Sequence, residues 1–300
     1  MRRRASLLVL LAALGLPGAA LARCEGVVPG QRPQNADRDF VGESLDDIVE
    51  RGWIEFAVYE GLPPYSWEEG GEPKGLDIGI GRIIAEALGV EPRFRFVSSG
   101  ENLEADLRFN VWQGLPMGAG ENVVANVMLH VPYDSNFACR VEQVVFTGQA
   151  YQEQVAIAYR KDAYPENPPT PAYFRFDLVA VENDTIADFY LASFAGGQMN
   201  ANIRRFASIE GAVEAVNRGE IGAAMGPRAQ LEAAAGEGVA VATPPLPGLA
   251  MHKWTVGLAV HHAHRDLGYA VDDAVAAALA DGRIAALFQE AGLSFTPPER

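Results

Sequence analysis

Two proline-rich breaks interrupt a chain that otherwise alternates strand-like and helix-like segments, and this alternation constrains the fold more than any other feature. The first break, 162–171, holds Pro165, Pro168, Pro169 and Pro171; the second, 243–248, reads TPPLPG. Proline fixes φ and removes a donor, so neither run continues a helix or a central strand. Before the first break, Ser44 caps a short helix, LDDIVER, and WIEFAVY (53–59) reads as a strand. Ile80, Ile83, Ile84 and Leu88 recur at helical spacing, with Asp77 as the expected N-cap and Gly89 as the stop. PRFRFV (92–97) alternates as a strand, 101–113 is helical, and 123–131, 143–147 and 154–160 read as further strands. Between the breaks the order is strand 177–182, helix 184–194, strand 203–207, helix 208–218, strand 220–225, helix 227–235 and strand 238–243. A strand at 254–260 and helices at 266–280 and 283–291 finish the chain. Such alternation places helices on both faces of parallel or mixed sheets, an α/β fold. Two series imply two lobes. If the last strand and helices return to the first lobe, 44–153 and 258–297 form lobe one, 154–257 form lobe two, and the chain crosses between them twice.

The N-terminus reads as an export signal. Arg2, Arg3 and Arg4 precede an apolar run, Ala5–Leu16, that is too short to span a bilayer, and Ala20-Leu21-Ala22 is an A-x-A cleavage pattern. Cleavage after Ala22 leaves an N-terminal extension, 23–43, and a periplasmic destination. The formal charge of −15 is repelled by phosphate backbones, which argues against a nucleic-acid partner. Export makes a Cys24–Cys139 disulfide available; two lone thiols, or lipidation of Cys24, are the alternatives.

An α/β sheet binds ligands outside the carboxyl ends of its strands. That rule selects four loops. The first, 60–75, begins at Glu60 and carries Tyr65 and Trp67, rings that either stack on a solute or plug the core. The second, 130–140, holds His130, Tyr133, Asp134 and Arg140; Arg140 either clamps a carboxylate or pairs with Glu142 at the surface. The third opens a helix with Asp184 and Thr185, an anion seat or a simple N-cap at Asp184. The fourth, Gly226-Pro227-Arg228, opens the next helix, and Arg228 points into the cleft or into solvent.

Enzyme signals are poor. The chain has no G-x-S-x-G elbow and no P-loop. Gly79-Ile80-Gly81 lacks a third glycine and lies within a helix, so no dinucleotide fingerprint exists. His261, His262 and His264 do not stand at zinc-ligand spacing. No catalytic residue, cofactor or metal is expected, and a hydrolase on a two-lobed fold finds no support.

The segment SLDDIVERGWIEFAVYEGLPPYSWEEGGEPKGLDIGIGRIIAEALGV (44–90) resembles the opening of extracellular solute-binding proteins of family 3, the polar-amino-acid receptors of ABC importers. RVEQVVFTGQAY (140–151), FASIEGAVEAVNRGEIGAAM (206–225) and YAVDDAVAAALADGRIAALFQEAG (269–292) are similar to later parts of that family. The resemblance implies a type II periplasmic-binding-protein fold, a small-molecule ligand between the lobes, a monomer, and an inner-membrane ABC permease as partner. It implies that Tyr65 and Trp67 flank the ligand, that Arg140 holds its carboxylate and that Asp184 and Thr185 assist. Gly226-Pro227-Arg228 stands where the family usually has an acidic residue for an α-amino group, which points to an anionic or neutral solute. Asn126 stands where the family commonly has Asp. ADLRFNVWQGLPMGAGENVVANVMLHVPYD (105–134) also resembles a branch linked to periplasmic methanol or other alcohol oxidation. That branch implies, as the alternative, an accessory of a quinoprotein dehydrogenase.

Overall fold

The computed structural model describes Cys24 and residues 42–115 and 123–299. The leader, its cleavage after Ala22 and nearly all of the 23–43 extension lie outside the described residues.

Helix α1 (Leu45–Arg51) begins at a capping box in which Ser44 and Asp47 satisfy each other's backbone N–H groups. Strand β1 (Trp53–Tyr59) follows and buries Ile54, Phe56 and Val58 on one face and Ala57 on the other. A small hairpin, β2 (Trp67–Glu69) and β3 (Glu72–Lys74), occupies what the sequence suggested was a plain turn. Helix α2 (Leu76–Leu88) lays Ile80 and Ile84 on the first face of β1. Its N-cap is Gly75, not Asp77; Gly75 has φ +119°, and a Cβ there would lie 2.1 Å from the Tyr65 carbonyl oxygen. Gly79 and Gly81 serve packing: a Cβ would fall 2.7 Å from Leu287 and from Phe94 respectively.

Strand β4 (Glu91–Val97) pairs in parallel with β1. Helix α3 (Leu103–Leu107) passes directly into a π-helical stretch, Arg108–Trp112, that covers the second face. Strand β5 (Val127–Tyr133) then pairs with β1, and helix α4 (Ser135–Arg140) follows it.

Strand β6 (Val144–Arg160) is one continuous strand of 17 residues where the sequence pattern suggested two. The misleading signal was Gly148, which has φ +57° and sits at a register shift against the last strand, β11 (Lys253–His261). The irregularity is a bulge within the strand, not an end to it. Beyond the bulge β6 enters a second sheet, where it pairs antiparallel with β9 (Ala223–Pro227) and β10 (Val239–Ala242). Strands β7 (Val179–Glu182) and β8 (Ile203–Phe206) extend that sheet in parallel. The strand order is β4-β1-β5-β11-β6-β9-β7-β8, so β6 belongs to both lobes.

In the second lobe, Val155 and Ile157 of β6 face helix α5 (Ile186–Ser193). Ala156 and Ala158 face α6 (Ile209–Asn217) and α7 (Arg228–Ala234). Helices α8 (Arg265–Ala280) and α9 (Arg283–Glu290) return to the first lobe, burying Val271, Val275, Ile284 and Phe288. The mixed, helix-flanked α/β architecture anticipated from the sequence is present.

Cys24 and Cys139 are joined in a disulfide across 115 positions, so the Cys24 sulfur is not available to a lipid. Closing so long a loop removes denatured-state entropy equivalent to about 5 kcal/mol. Cys139→Ser is expected to lower unfolding free energy by about 2–4 kcal/mol, measured by urea denaturation of the mature protein under non-reducing conditions.

Candidate functional site

Two clusters of side chains meet where the lobes join, one buried and one open. The buried cluster centres on Glu153 of β6, which is 2% exposed. Its Oε2 accepts from the Tyr65 hydroxyl and from Ala229 N (3.4 Å); its Oε1 accepts from Arg228 N (3.1 Å) and Gln154 N (2.7 Å). Tyr65 lies in the loop after β1, and Arg228 and Ala229 open α7, so one carboxylate ties both lobes to the shared strand. Burial pushes the Glu153 carboxyl above its ordinary range, and these donors counter that by favouring the charged form. Burial, with Glu153 close by, drives the Tyr65 phenol well above its usual value, so Tyr65 acts only as a donor.

Tyr65 therefore plugs the core. Its ring is 2% exposed, lies 4.3 Å from the His130 ring and stacks with Tyr151 at 6.3 Å. Of the two readings of this ring, its burial against His130 and Tyr151 accords with the core plug. His130 sits at a second register shift, between β5 and β11, with φ +59°. Its Nδ1 lies 3.1 Å from the buried Asp77 carboxylate and 3.2 Å from the Tyr151 hydroxyl. A left-handed conformation at a histidine within a strand is sustained only by surroundings that overdetermine it.

Arg228 points neither into the cleft nor into solvent. It is 9% exposed, and its Nη2 donates to Ser294 O (2.9 Å) and Thr296 Oγ1 (3.0 Å). Glu232 of α7 accepts from Ser294 N at 2.8 Å, and Gln152 N donates to Thr296 O at 2.9 Å. The C-terminal segment is thus strapped across the junction.

The open cluster is a cavity of about 600 Å³ between the lobes. Pro132, Tyr133, Asp134 and Ser135 form its first-lobe wall. Gln152, Lys253, Trp254 and Thr255 form its floor on β6 and β11. Ile186, the first residue of α5, faces it from the second lobe, and Met251 and Glu299 complete the rim. Trp254 packs against hydrophobic clusters of both lobes.

Tyr133 and Asp134 line this cavity. Asp134 is also the N-cap of α4, accepting from Phe137 N at 2.7 Å. Thr185, not Asp184, caps α5 and thereby positions Ile186; Asp184 is exposed with φ +60°. The other expected residues stand apart from the cavity wall. Glu60 is exposed and accepts from the Ser98 hydroxyl. Trp67 starts the β2–β3 hairpin, half-buried. Arg140 ends α4, exposed, with its guanidinium 5.7 Å from the Phe137 ring. The sequence reading missed Ile186, Trp254 and Thr255; a tryptophan six positions after the TPPLPG break was the one available signal.

Among the described residues no group of three or more His, Cys, Asp or Glu is arranged to hold a metal. His261 is buried and stacks on His262 at 4.6 Å; burial, then the charges of His262 and His264, lower its pKa to about 4.

No protein-family model matches the chain, and no curated protein matches it. Solved structures do. An ancestral cationic amino-acid solute-binding protein superposes with a TM-score of 0.67 at 18% identity, over 82% of this chain and 98% of that one. An amino-acid ABC transporter substrate-binding protein from Streptococcus pneumoniae, bound to L-arginine, gives 0.58 at 19%, over 85% and 100%. A solute receptor for L-cysteine from Neisseria gonorrhoeae gives 0.53 at 17%, over 83% and 93%. The chain has the fold these receptors share, the two-lobed type II periplasmic-binding-protein architecture.

Two outcomes test the buried polar groups, Tyr65 at the junction and His261 at the far end of β11. Tyr65→Phe leaves Glu153 short of a donor and is expected to cost about 1–3 kcal/mol in urea denaturation. The His261 imidazole stays neutral in the fold while the unfolded chain takes up a proton near pH 6.5. Its contribution is therefore complete above pH 6.5 and is lost as pH falls towards about 4. A His261→Gln variant should show a flatter stability profile across that interval.

Proposed function

We propose that the chain is an exported solute-binding protein of the family 3 type, which holds a small molecule between its lobes and delivers it to an inner-membrane ABC permease. The cavity of about 600 Å³ with walls from both lobes carries this reading. A solute there touches β5 and α5 at once, so it favours the closed arrangement by contacts that an open one lacks. Its volume lies within the range of small-molecule sites, about 300–1,000 Å³. The lobes are 44–153 with 258–297, and 154–257. Tyr133, Asp134, Ile186 and Trp254 are the contacts, with Thr185 holding Ile186 in place. The protein acts as a monomer in the periplasm after cleavage at Ala22, and binding involves no chemical change. The solute is anionic or neutral, not an α-amino acid: Gly226-Pro227-Arg228 stands where receptors of this type usually carry the acidic residue for an α-amino group. Among the described residues no helix is long and apolar enough to cross a membrane, which accords with a receptor that needs a separate permease.

Native purification, denaturation and mass spectrometry of the released small molecules test this reading. A stoichiometric, chemically unaltered solute is expected, and Trp254→Ala should reduce its retention by about tenfold or more. A preparation that carries no solute but retains a large quinoprotein from periplasm would instead place the chain beside a dehydrogenase.

A further inference from the structure

We infer that the interlobe cavity takes a neutral, predominantly apolar, ring-bearing solute, and that it excludes the charged amino acids. This rests on the receptor reading above and narrows it.

A zwitterion or ion buried between lobes needs opposing charges with unoccupied hydrogen-bonding capacity, because a desolvated charge without a partner is strongly unfavourable. Three charged groups line the cavity, Asp134, Lys253 and Glu299, and the one cation among them is already paired, so the wall holds no open cation for a carboxylate. The Lys253 ammonium is paired with the Glu299 carboxylate, and both side chains are exposed. Asp134 caps α4 through Oδ1 alone. The guanidinium of Arg228 does not line the cavity and donates through Nη2 to the C-terminal strap. Glu153, the acidic group closest to the hinge, has both oxygens filled by internal donors. Arg140 does not line the cavity.

What remains at the wall is Pro132, Tyr133, Ile186, Met251 and Trp254, with the Gln152 amide and the Ser135 and Thr255 hydroxyls as isolated polar contacts. Flat rings and branched aliphatic groups favour a planar apolar guest, and scattered neutral hydrogen-bonding groups orient it without demanding charge. The apolar character continues outward. Phe189 lies one turn along α5 from Ile186 and is 62% exposed, and Met251 at the rim is 51% exposed. A volume of about 600 Å³ holds a guest of two or three fused or linked rings.

The test uses N-phenyl-1-naphthylamine, a neutral two-aryl fluorophore, with the intact mature protein. Saturable one-to-one emission enhancement is expected. 8-Anilino-1-naphthalenesulfonate, which adds a sulfonate to the same rings, should bind about tenfold or more weakly. L-arginine should not displace the neutral probe. Ile186→Asp puts a charge on the wall at a first-turn helix position that tolerates an acid. It should weaken the neutral probe by about tenfold with far-ultraviolet circular dichroism unchanged and a lower melting temperature, because Ile186 also packs against the second-lobe core. Tighter binding of the sulfonate or of arginine overturns the ligand class and leaves the receptor reading standing. Neutral-probe binding unaffected by Ile186→Asp also overturns it. Absence of saturable binding by all three, together with no co-purified solute, overturns both.

Discussion

The arrangement of this protein depends on one buried carboxylate. Glu153 sits on the strand common to both sheets and gathers a phenol from one lobe and two helix N–H groups from the other. A carboxyl group at 2% exposure is tolerated only when its oxygens find donors. The position of the aromatic loop, the start of α7 and the path of β6 are therefore set together. Gly75 secures the same loop from the other side, since any side chain there would collide with the Tyr65 carbonyl.

That constraint separates structural from ligand-facing groups. Residues that look functional by type, Tyr65 and Arg228 above all, are consumed in joining the lobes. Tyr65 becomes a donor to Glu153, and Arg228 anchors the C-terminal strap. The space beside them is walled by groups with little charge to spend. In a two-lobed receptor the contacts across the junction compete with those to a guest. A junction already rich in internal hydrogen bonds leaves discrimination to the shape and polarity of the cavity.

Much of the architecture was legible in the residues. The spacing of Ile80, Ile84 and Leu88, the cap at Ser44 and the helix around Val213 and Val216 mark elements because one face is consistently apolar. Failures occurred where local signals compete. Gly148 looked like a strand end and is a bulge. Asp77 looked like a cap and is buried beside His130 in the first turn of α2. Asp184 looked like a cap, yet Thr185 takes that role. Of the expected site, Tyr133 and Asp134 line the cavity and Thr185 supports it from behind, whereas Trp254 and Ile186 carried no motif.

The sequence by itself determined the order of elements, the two proline breaks and the alternation of apolar faces, because these depend on neighbours within a few positions along the chain. Only the tertiary structure decided which polar groups face the cleft. That choice turns on register: the one-residue bulge at His130 exchanges the face on which following side chains emerge relative to β11, and the wider irregularity at Gly148 shifts the pairing of β6. It turns also on partners far away in sequence: Glu153 with Tyr65, Arg228 with Thr296, and Cys24 with Cys139.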